Sequence, residues 1–284
     1  MQKFKGKALY QPSGKAAEYS PWAVNFYTGC SNDCEYCYCK RGVMSHVWST
    51  TPKLKKCFRN EEHAVRTLFK EVEKNIDELR KKGVLFSFTT DPMLPETRTM
   101  TMGCLEGLLR YNIPVKLLTK KADWVWEFQG RLMDYPLHRF RDNIAFGFTL
   151  TGHDDQEPNA STNEERIKAM KELHQLGYRT WASIEPVISV GKSIRMIDET
   201  FEFCDLYKVG LMSGVKASYY DEHDLYRLRC YLSTLSTEGI KIYPKDSLLE
   251  RTGFERESLN DAWDADFVST DYNIFKDSNN ETPN

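Results

Sequence analysis

The sequence has no long apolar run, and no stretch approaches the uninterrupted length of a membrane span. Its first seven residues, MQKFKGK, include basic side chains, but no apolar segment follows them, so no secretory signal peptide is predicted. The chain nevertheless contains 8 cysteines. Cysteines without a secretion signal indicate a reducing compartment, and we therefore expect a cytoplasmic protein with no membrane partner.

The sequence also has little net charge, because a formal charge of −2 and an isoelectric point near 6.3 give no global attraction for nucleic acid. We find no internal repeat, no glycine-rich phosphate loop and no second cysteine cluster. One segment, 40–56, departs from this balance with five basic residues, Lys40, Arg41, Lys53, Lys55 and Lys56. Two interpretations stay open: a solvated loop, or a positive rim that attracts an anionic substrate such as a nucleic acid backbone.

Against this background stands one concentrated stretch, YTGCSNDCEYCY at 27–38, which places Cys30, Cys34 and Cys37 at C-x3-C-x2-C spacing. Thiolates are soft ligands that hold iron–sulfur clusters. A cubane cluster has four irons, so three thiolates leave one iron with an open coordination site. Tyr36 and Tyr38 flank the third cysteine and can shield the cluster from water.

Two other interpretations of the cysteines belong to different functional classes. The first is a non-catalytic binding module with a structural zinc ion, which would need Cys39 or His46 as its fourth ligand. The second is a cluster protein that only transfers electrons and binds no further cofactor. Metal analysis separates zinc from iron and sulfide.

The string Y-T-G-C-x3-C-x-Y-C-Y resembles the signature of radical S-adenosylmethionine (SAM) enzymes, and more narrowly that of the branch containing spore photoproduct lyase. The resemblance implies that Cys30, Cys34 and Cys37 bind a 4Fe–4S cluster whose vacant iron holds SAM. One electron from a donor such as flavodoxin or ferredoxin would then cleave SAM to methionine and a 5′-deoxyadenosyl radical. That radical would abstract hydrogen from the substrate.

Strand and helix patterns alternate along the chain, which predicts an α/β fold with a parallel sheet. We expect a partial (β/α)6 TIM-like barrel of the radical SAM type in a single domain, 1–268. An N-terminal arm would cover 1–20, a C-terminal extension 239–268, and a flexible tail 269–284. The predicted strands are 22–27, 84–88, 114–118, 143–150, 178–184 and 205–211, with an extra strand at 239–243.

Polar residues at the carboxyl ends of these strands are candidates for the SAM pocket, because α/β barrels carry their chemistry there. Thr149 and Thr151 alternate with apolar neighbours and should face one side. The family resemblance implies pocket roles for the Thr89-Thr90-Asp91 run, although Thr90 or Asp91 could instead cap the next helix. Arg166 could be either a pocket residue or a surface residue. The cofactor-binding candidates are Tyr36, Tyr38, Thr89, Thr90, Asp91, Lys120, Thr149, Thr151 and Glu185.

The resemblance to spore photoproduct lyase lacks one residue, the cysteine that donates hydrogen. In spore photoproduct lyase a cysteine near the end of the second strand returns hydrogen to the product radical, whereas 86–91 here reads FSFTTD. This departure argues against thymine-dimer repair. A nucleic acid or nucleotide is the best single prediction for the substrate, and a peptide or protein is the alternative.

Overall fold

The computed structural model describes residues 3–46, 48–134, 136–253 and 274–275. These ranges contain ten strands and nine α-helices. The strands are β1 Leu9–Tyr10, β2 Ala23–Val24, β3 Tyr27–Thr28, β4 Lys53–Leu54, β5 Val84–Phe86, β6 Val115–Thr119, β7 Ile144–Thr149, β8 Arg179–Val187, β9 Leu206–Leu211 and β10 Ile242–Pro244.

The main sheet has eight strands in the order β1-β2-β5-β6-β7-β8-β9-β10. Seven of these strands pair in parallel with their neighbours: β2, β5, β6, β7, β8, β9 and β10. β1 pairs antiparallel with β2 at one edge. β1 and β10 lie at opposite edges of the hydrogen-bonded order, so the described strands form an open barrel-like sheet rather than a closed barrel. The α/β prediction and its seven parallel strands are confirmed.

Each crossover between parallel strands passes through one or two helices, as the connection of parallel strands requires. Thr162 begins α6 with a capping box, in which its hydroxyl accepts from the Glu165 amide and the Glu165 side chain accepts from the Thr162 amide. Asn60 caps α1 and Asp221 caps α8. The helices are α1 Glu61–Glu73, α2 Ile76–Lys82, α3 Arg98–Arg110, α4 Trp124–Glu127, α5 Gln129–Met133, α6 Asn163–Gln175, α7 Val190–Asp198, α8 Glu222–Thr237 and α9 Asp246–Thr252.

Two apolar clusters form the core. The larger one joins the helices to the sheet, as expected for amphipathic helices on an α/β sheet. The smaller one includes Leu85, Ala145, Trp181, Leu206 and Tyr243, each from a different strand, with Tyr19 and Ile274 packed on them. Gly147 leaves space for the indole of Trp181 on the neighbouring strand, because a Cβ on Gly147 would lie 2.2 Å from that ring.

Several elements differ from the sequence-based prediction. The predicted arm contains β1, and Ala8 and Leu9 are fully buried there. Apolar residues at helical spacing, Ala64, Leu68, Val72 and Ile76, predict one helix over 61–82, whereas the structure has two, α1 and α2. Isolated cysteines are expected to be buried; Cys104 and Cys204 are buried, but Cys57 and Cys230 are exposed.

The predicted domain boundaries stay predictions. Ile274 belongs to the predicted flexible tail, 269–284, yet its side chain is 2% exposed. The rest of that tail, together with the part of the C-terminal extension after residue 253, lies outside the described residues, and those boundaries stay predictions. In the portions of the chain that the structure covers, no helix combines the length and apolarity needed to cross a bilayer.

We expect the Gly147→Ala substitution to destabilise the fold by about 1–3 kcal/mol, because the new methyl group would displace the packed Trp181 ring. Urea unfolding measures the change. Gly103→Ala in α3 is the matched control, since no atom lies within 4 Å of its Cβ position and alanine favours a helix. Equal stabilities for the two variants would contradict this account of the barrel interior.

Candidate active site

A cavity of about 350 Å³ opens at the carboxyl ends of the parallel strands, a size typical of small-molecule sites. One end is formed by the cysteine loop, 29–39. The other end is formed by the N-terminal arm, β8 and the start of α9. The predicted site residues that line it are Cys30, Cys34, Cys37, Tyr36, Tyr38, Thr89, Thr90, Asp91, Lys120, Thr149 and Glu185.

The path of the cysteine loop depends on Gly29, which has a φ of +85°, a conformation that favours glycine. A Cβ there would lie 2.7 Å from both the Ser49 hydroxyl and the Thr51 carbonyl oxygen. The Cys30 amide donates to the Ser49 carbonyl at 2.9 Å. Residues 49–51 therefore pack directly against the loop and fix the position of Cys30.

The three thiols of the motif have different electrostatic environments. Burial raises the pKa of Cys30 to about 12, and the nearby Asp91 carboxylate adds to the shift. Burial also raises the pKa of Cys34. The pKa of Cys37 is lowered to about 6, chiefly because it accepts a hydrogen bond from Cys39. A metal would supply the positive charge that buried thiolates need, so this donor set fits an iron–sulfur cluster.

A single zinc ion fits these residues less well. Across the described ranges, no three His, Cys, Asp or Glu side chains converge on one position for a metal ion. A cubane cluster spaces its thiolate ligands more widely than one ion does. Cys39 also lines the cavity, with its sulfur 4.0 Å from the Phe88 carbonyl oxygen, whereas His46 is exposed.

Asp91 fastens the cysteine loop to the sheet. Its carboxylate accepts from the Asn32 side-chain amide at 2.8 Å, the Thr119 hydroxyl at 2.6 Å, and the backbone amides of Met93 at 2.9 Å and Lys120 at 2.7 Å. These donors come from the cysteine loop and from residues at and after the ends of β5 and β6. Asp91 therefore sets the position of the loop relative to two strand ends and does not cap a helix.

The neighbouring threonines strengthen the same attachment. Thr89 donates to the Tyr27 carbonyl at 2.7 Å, and Thr90 donates to the Gly29 carbonyl at 2.6 Å. α3 begins instead after Thr97, seven residues beyond Thr90, so the capping alternative is wrong. Contact between Thr89, Thr90 or Asp91 and SAM stays a prediction.

A second buried network holds Tyr36 from the opposite side. The Tyr36 hydroxyl donates to the Glu157 carboxylate, which is also bonded by the guanidinium of Arg166. Arg166 further donates to the Thr149 carbonyl and, at 2.8 Å, to the Ser161 carbonyl. Arg166 is 0% exposed, so the surface interpretation of this residue is wrong.

The far end of the cavity contains residues that the sequence did not single out. The Tyr19 hydroxyl donates to Glu185 and lies 2.7 Å from the Ser183 hydroxyl. The ammonium of Lys245 is 2.6 Å from the Glu185 carboxylate and 3.5 Å from that of Glu18. Burial raises the pKa of Tyr19 well above its usual value, with the Glu185 charge adding to the effect, so its phenol stays protonated.

Two predicted placements need correction. Glu185 does not end its strand but lies within β8, inside the register irregularity between Ile184 and Val187. Thr151 is fully buried outside the cavity lining, where its hydroxyl accepts from the His153 amide. The chain leaves the strand after Thr149, so the strict alternation that would place Thr149 and Thr151 on one face no longer applies.

Two cavity-lining residues have a buried polar atom that lacks a partner in the described structure, Asn32 through its side-chain oxygen and Trp48 through its indole nitrogen. The side-chain oxygen of Asn32 is buried and accepts no hydrogen bond, while its amide group is used by Asp91. Such an atom is unfavourable unless a bound molecule donates to it. The Lys120 ammonium lies 5.6 Å from the Tyr36 ring, at the same end of the cavity. These groups fit a small polar cofactor beside the cysteines.

The fold and the site define an α/β enzyme of barrel type with a cysteine-lined cavity at its strand ends. The chain belongs to the radical SAM superfamily, whose family model matches residues 24–204. Members of this family use SAM and an iron–sulfur cluster.

Known proteins resemble the chain over most of its length. An uncharacterized protein of Methanocaldococcus jannaschii is 26% identical over 217 residues, which cover 72% of this chain and 74% of that protein. A point mutant of spore photoproduct lyase has a similar fold, with a TM-score of 0.59, 12% identity and coverage of 82% and 78%. The lyase complexed with dinucleoside spore photoproduct gives a TM-score of 0.51, with 16% identity and coverage of 71% and 59%. Streptococcus suis SuiB bound to SAM gives a TM-score of 0.50, with 14% identity and coverage of 81% and 53%.

We expect Glu157→Gln to destabilise the protein by about 3–5 kcal/mol, because it leaves the buried Arg166 charge without its closest carboxylate. Chemical denaturation monitored by circular dichroism gives the free energy of unfolding. Glu164→Gln is the control, since Glu164 is exposed in the first turn of α6, the helix that contains Arg166. A loss below about 1 kcal/mol for Glu157→Gln would show that the network does not hold the loop.

Proposed function

We propose that this chain binds a 4Fe–4S cluster through Cys30, Cys34 and Cys37 and uses SAM to generate a radical that abstracts hydrogen from a substrate. The observation that carries the proposal is that all three thiols and the polar strand ends line one cavity. Such a cavity brings a soft metal-ligand set and a polar cofactor pocket together.

The chemistry that such a cluster supplies is one-electron cleavage of the SAM sulfonium to methionine and a 5′-deoxyadenosyl radical. The protein residues would bind SAM and orient it. Asn32 offers its unpartnered oxygen to a donor, and Lys120 offers a positive charge to a carboxylate. Burial opposes the charged form of Lys120, but the acidic groups of Cys34, Glu157 and Asp91 raise the pKa, so the side chain stays protonated.

A nucleotide or single-stranded nucleic acid is the substrate class that the cavity supports best. Tyr38, 53% exposed, and Trp48 line the cavity. Lys15 lines the same cavity. Aromatic faces stack on bases, and lysines attract phosphates. A protein with a similar fold, spore photoproduct lyase, binds a dinucleoside. Peptide substrates are the alternative.

The cluster assignment predicts a contrast among the four cavity cysteines. Alanine at Cys30, Cys34 or Cys37 should abolish the cluster absorption after anaerobic reconstitution, as well as the SAM-dependent formation of 5′-deoxyadenosine. Cys39→Ala should keep both, because the proposal needs one iron free of protein ligands. Iron and sulfide content, visible absorption and chromatography of the nucleoside measure the outcome.

Two results would defeat the proposal. One is zinc without sulfide in protein purified anaerobically. The other is a cluster that the Cys39→Ala variant cannot hold, since Cys39 would then be the fourth ligand.

The substrate class predicts that single-stranded oligonucleotides bind and increase 5′-deoxyadenosine formation. We expect Trp48→Ala to weaken oligonucleotide binding by about 1–3 kcal/mol through the loss of stacking. Fluorescence anisotropy with a labelled oligonucleotide measures the affinity. Trp126→Ala is the control, because Trp126 is 36% exposed but does not line the cavity. Stimulation by peptides alone would favour the alternative class.

A further inference from the structure

The outer surface beside the cysteine loop is strongly basic. β3 and β4 pair so that Lys53 lies opposite Thr28, two residues before Cys30. Lys55 donates from its ammonium to the Lys7 carbonyl, which joins the N-terminal arm to the same surface. We call this surface the basic hairpin face; it consists of Lys7, Lys53, Lys55, Lys56 and Arg59.

The nearby carboxylates offset only part of the charge of this face. Glu61 accepts from the Tyr27 hydroxyl at 2.6 Å. Glu71 accepts from three consecutive backbone amides, those of Lys7, Ala8 and Leu9, at 2.6, 3.0 and 2.8 Å. Both carboxylates keep their negative charge, and that of Glu71 also acts on Lys55. The five cations of the face outnumber these two carboxylates.

The cations themselves are available to solvent. Four of them are exposed, and within the described part of the chain none of these four makes an ion pair: Lys7, Lys53, Lys56 and Arg59. The pKa of the neighbouring His63 is lowered, first by loss of solvation and then by positive charges that include Arg59 and Lys7. The local potential is therefore positive although the whole chain carries −2.

The face lies beside the cysteine loop but outside the cavity. The lysines that line the cavity are Lys15, Lys120 and Lys245, and no member of the basic hairpin face is among the lining residues. The face therefore lies on the hairpin that leads into the cysteine loop, and its side chains do not obstruct the cavity.

We propose that the basic hairpin face is the docking site for an acidic one-electron donor protein of the flavodoxin or ferredoxin class. This inference rests on the proposed function, which requires a cluster at Cys30, Cys34 and Cys37. One electron leaves the reduced donor and enters the cluster, with no proton transferred and no bond made or broken. Electron transfer slows steeply with distance, so a donor gains by docking on a surface beside the cysteine loop, and β3 leads directly from this face to Cys30. Opposite charges steer such encounters.

The test compares two triple charge reversals. Lys53→Glu, Lys56→Glu and Arg59→Glu change the face; Lys55 is kept because its ammonium bonds the backbone of Lys7 and Asn25. The control, Lys74→Glu, Lys81→Glu and Lys82→Glu, makes the same change in charge on exposed residues of the α1–α2 region, which leads to the opposite end of β5.

Stopped-flow absorption follows reduction of the reconstituted cluster by an acidic reduced ferredoxin. At low ionic strength we expect the face variant to be reduced at least about 10-fold more slowly than wild type, and the control within about twofold. The difference should shrink towards zero near 0.5 M salt, because exposed charges are then screened. Calorimetry with oxidised ferredoxin should show the same loss of affinity without any turnover.

Dithionite, a small reductant that needs no docking surface, separates this inference from the proposed function. If dithionite reduces no cluster even in wild type, the proposed function fails. If dithionite reduces every variant equally and ferredoxin also reduces the face variant at the wild-type rate, the docking site is wrong and the proposed function stands. The inference is also overturned if the face variant keeps its ferredoxin affinity but loses affinity for single-stranded oligonucleotides, since the face would then bind nucleic acid.

Discussion

The structure depends on the Asp91 carboxylate and its four hydrogen bonds. A cysteine loop has little secondary structure of its own, so its position must be fixed by contacts outside it. Asp91 supplies these by binding Asn32 in the loop together with Thr119 and the Lys120 amide at the end of β6. At 9% exposure the carboxylate is poorly solvated, and four donors replace the water it has lost. Thr89 and Thr90 on the same segment strengthen this attachment, and the Tyr36–Glu157 hydrogen bond holds the loop at a second point.

Much of this arrangement was predictable because parallel strands converge at their carboxyl ends. Once the cysteine motif and the alternating strands were recognised, polar residues that end different strands could be expected around one cavity. Tyr36, Tyr38, Thr89, Thr90, Asp91, Lys120, Thr149 and Glu185 all line it. Topology placed these residues at the cavity, while the family resemblance selected Thr89, Thr90, Asp91 and Lys120 among them, and their contact with SAM stays a prediction.

The sequence-based prediction failed where the position of a side chain depends on partners distant in the chain. Arg166 looks like an ordinary helical arginine until Glu157 and the Thr149 carbonyl are brought against it, and only the fold does this. Tyr19 lies in a polar segment with no periodic signal, yet the arm carries it to Glu185, 166 positions away. Lys245 had a weak signal, since it follows the last strand in a polar run. The prediction for Thr151 was wrong for a local reason, because the strand ends before this residue.

The cysteine loop separates two environments of different chemistry. On its inner side the cavity brings acidic and basic groups together, with Glu185 paired to Lys245 and Asp91 satisfied by neutral donors. On its outer side the basic hairpin face presents positive charges that outnumber the nearby carboxylates. Under the proposed function, a radical formed in the cavity would need protection from solvent, whereas the proposed docking would bring an electron from a separate protein. One surface would not meet both demands well, because a wide charged opening would expose the cavity to water. The proposed docking face lies outside the cavity lining, so electron entry there would leave the cavity opening unchanged.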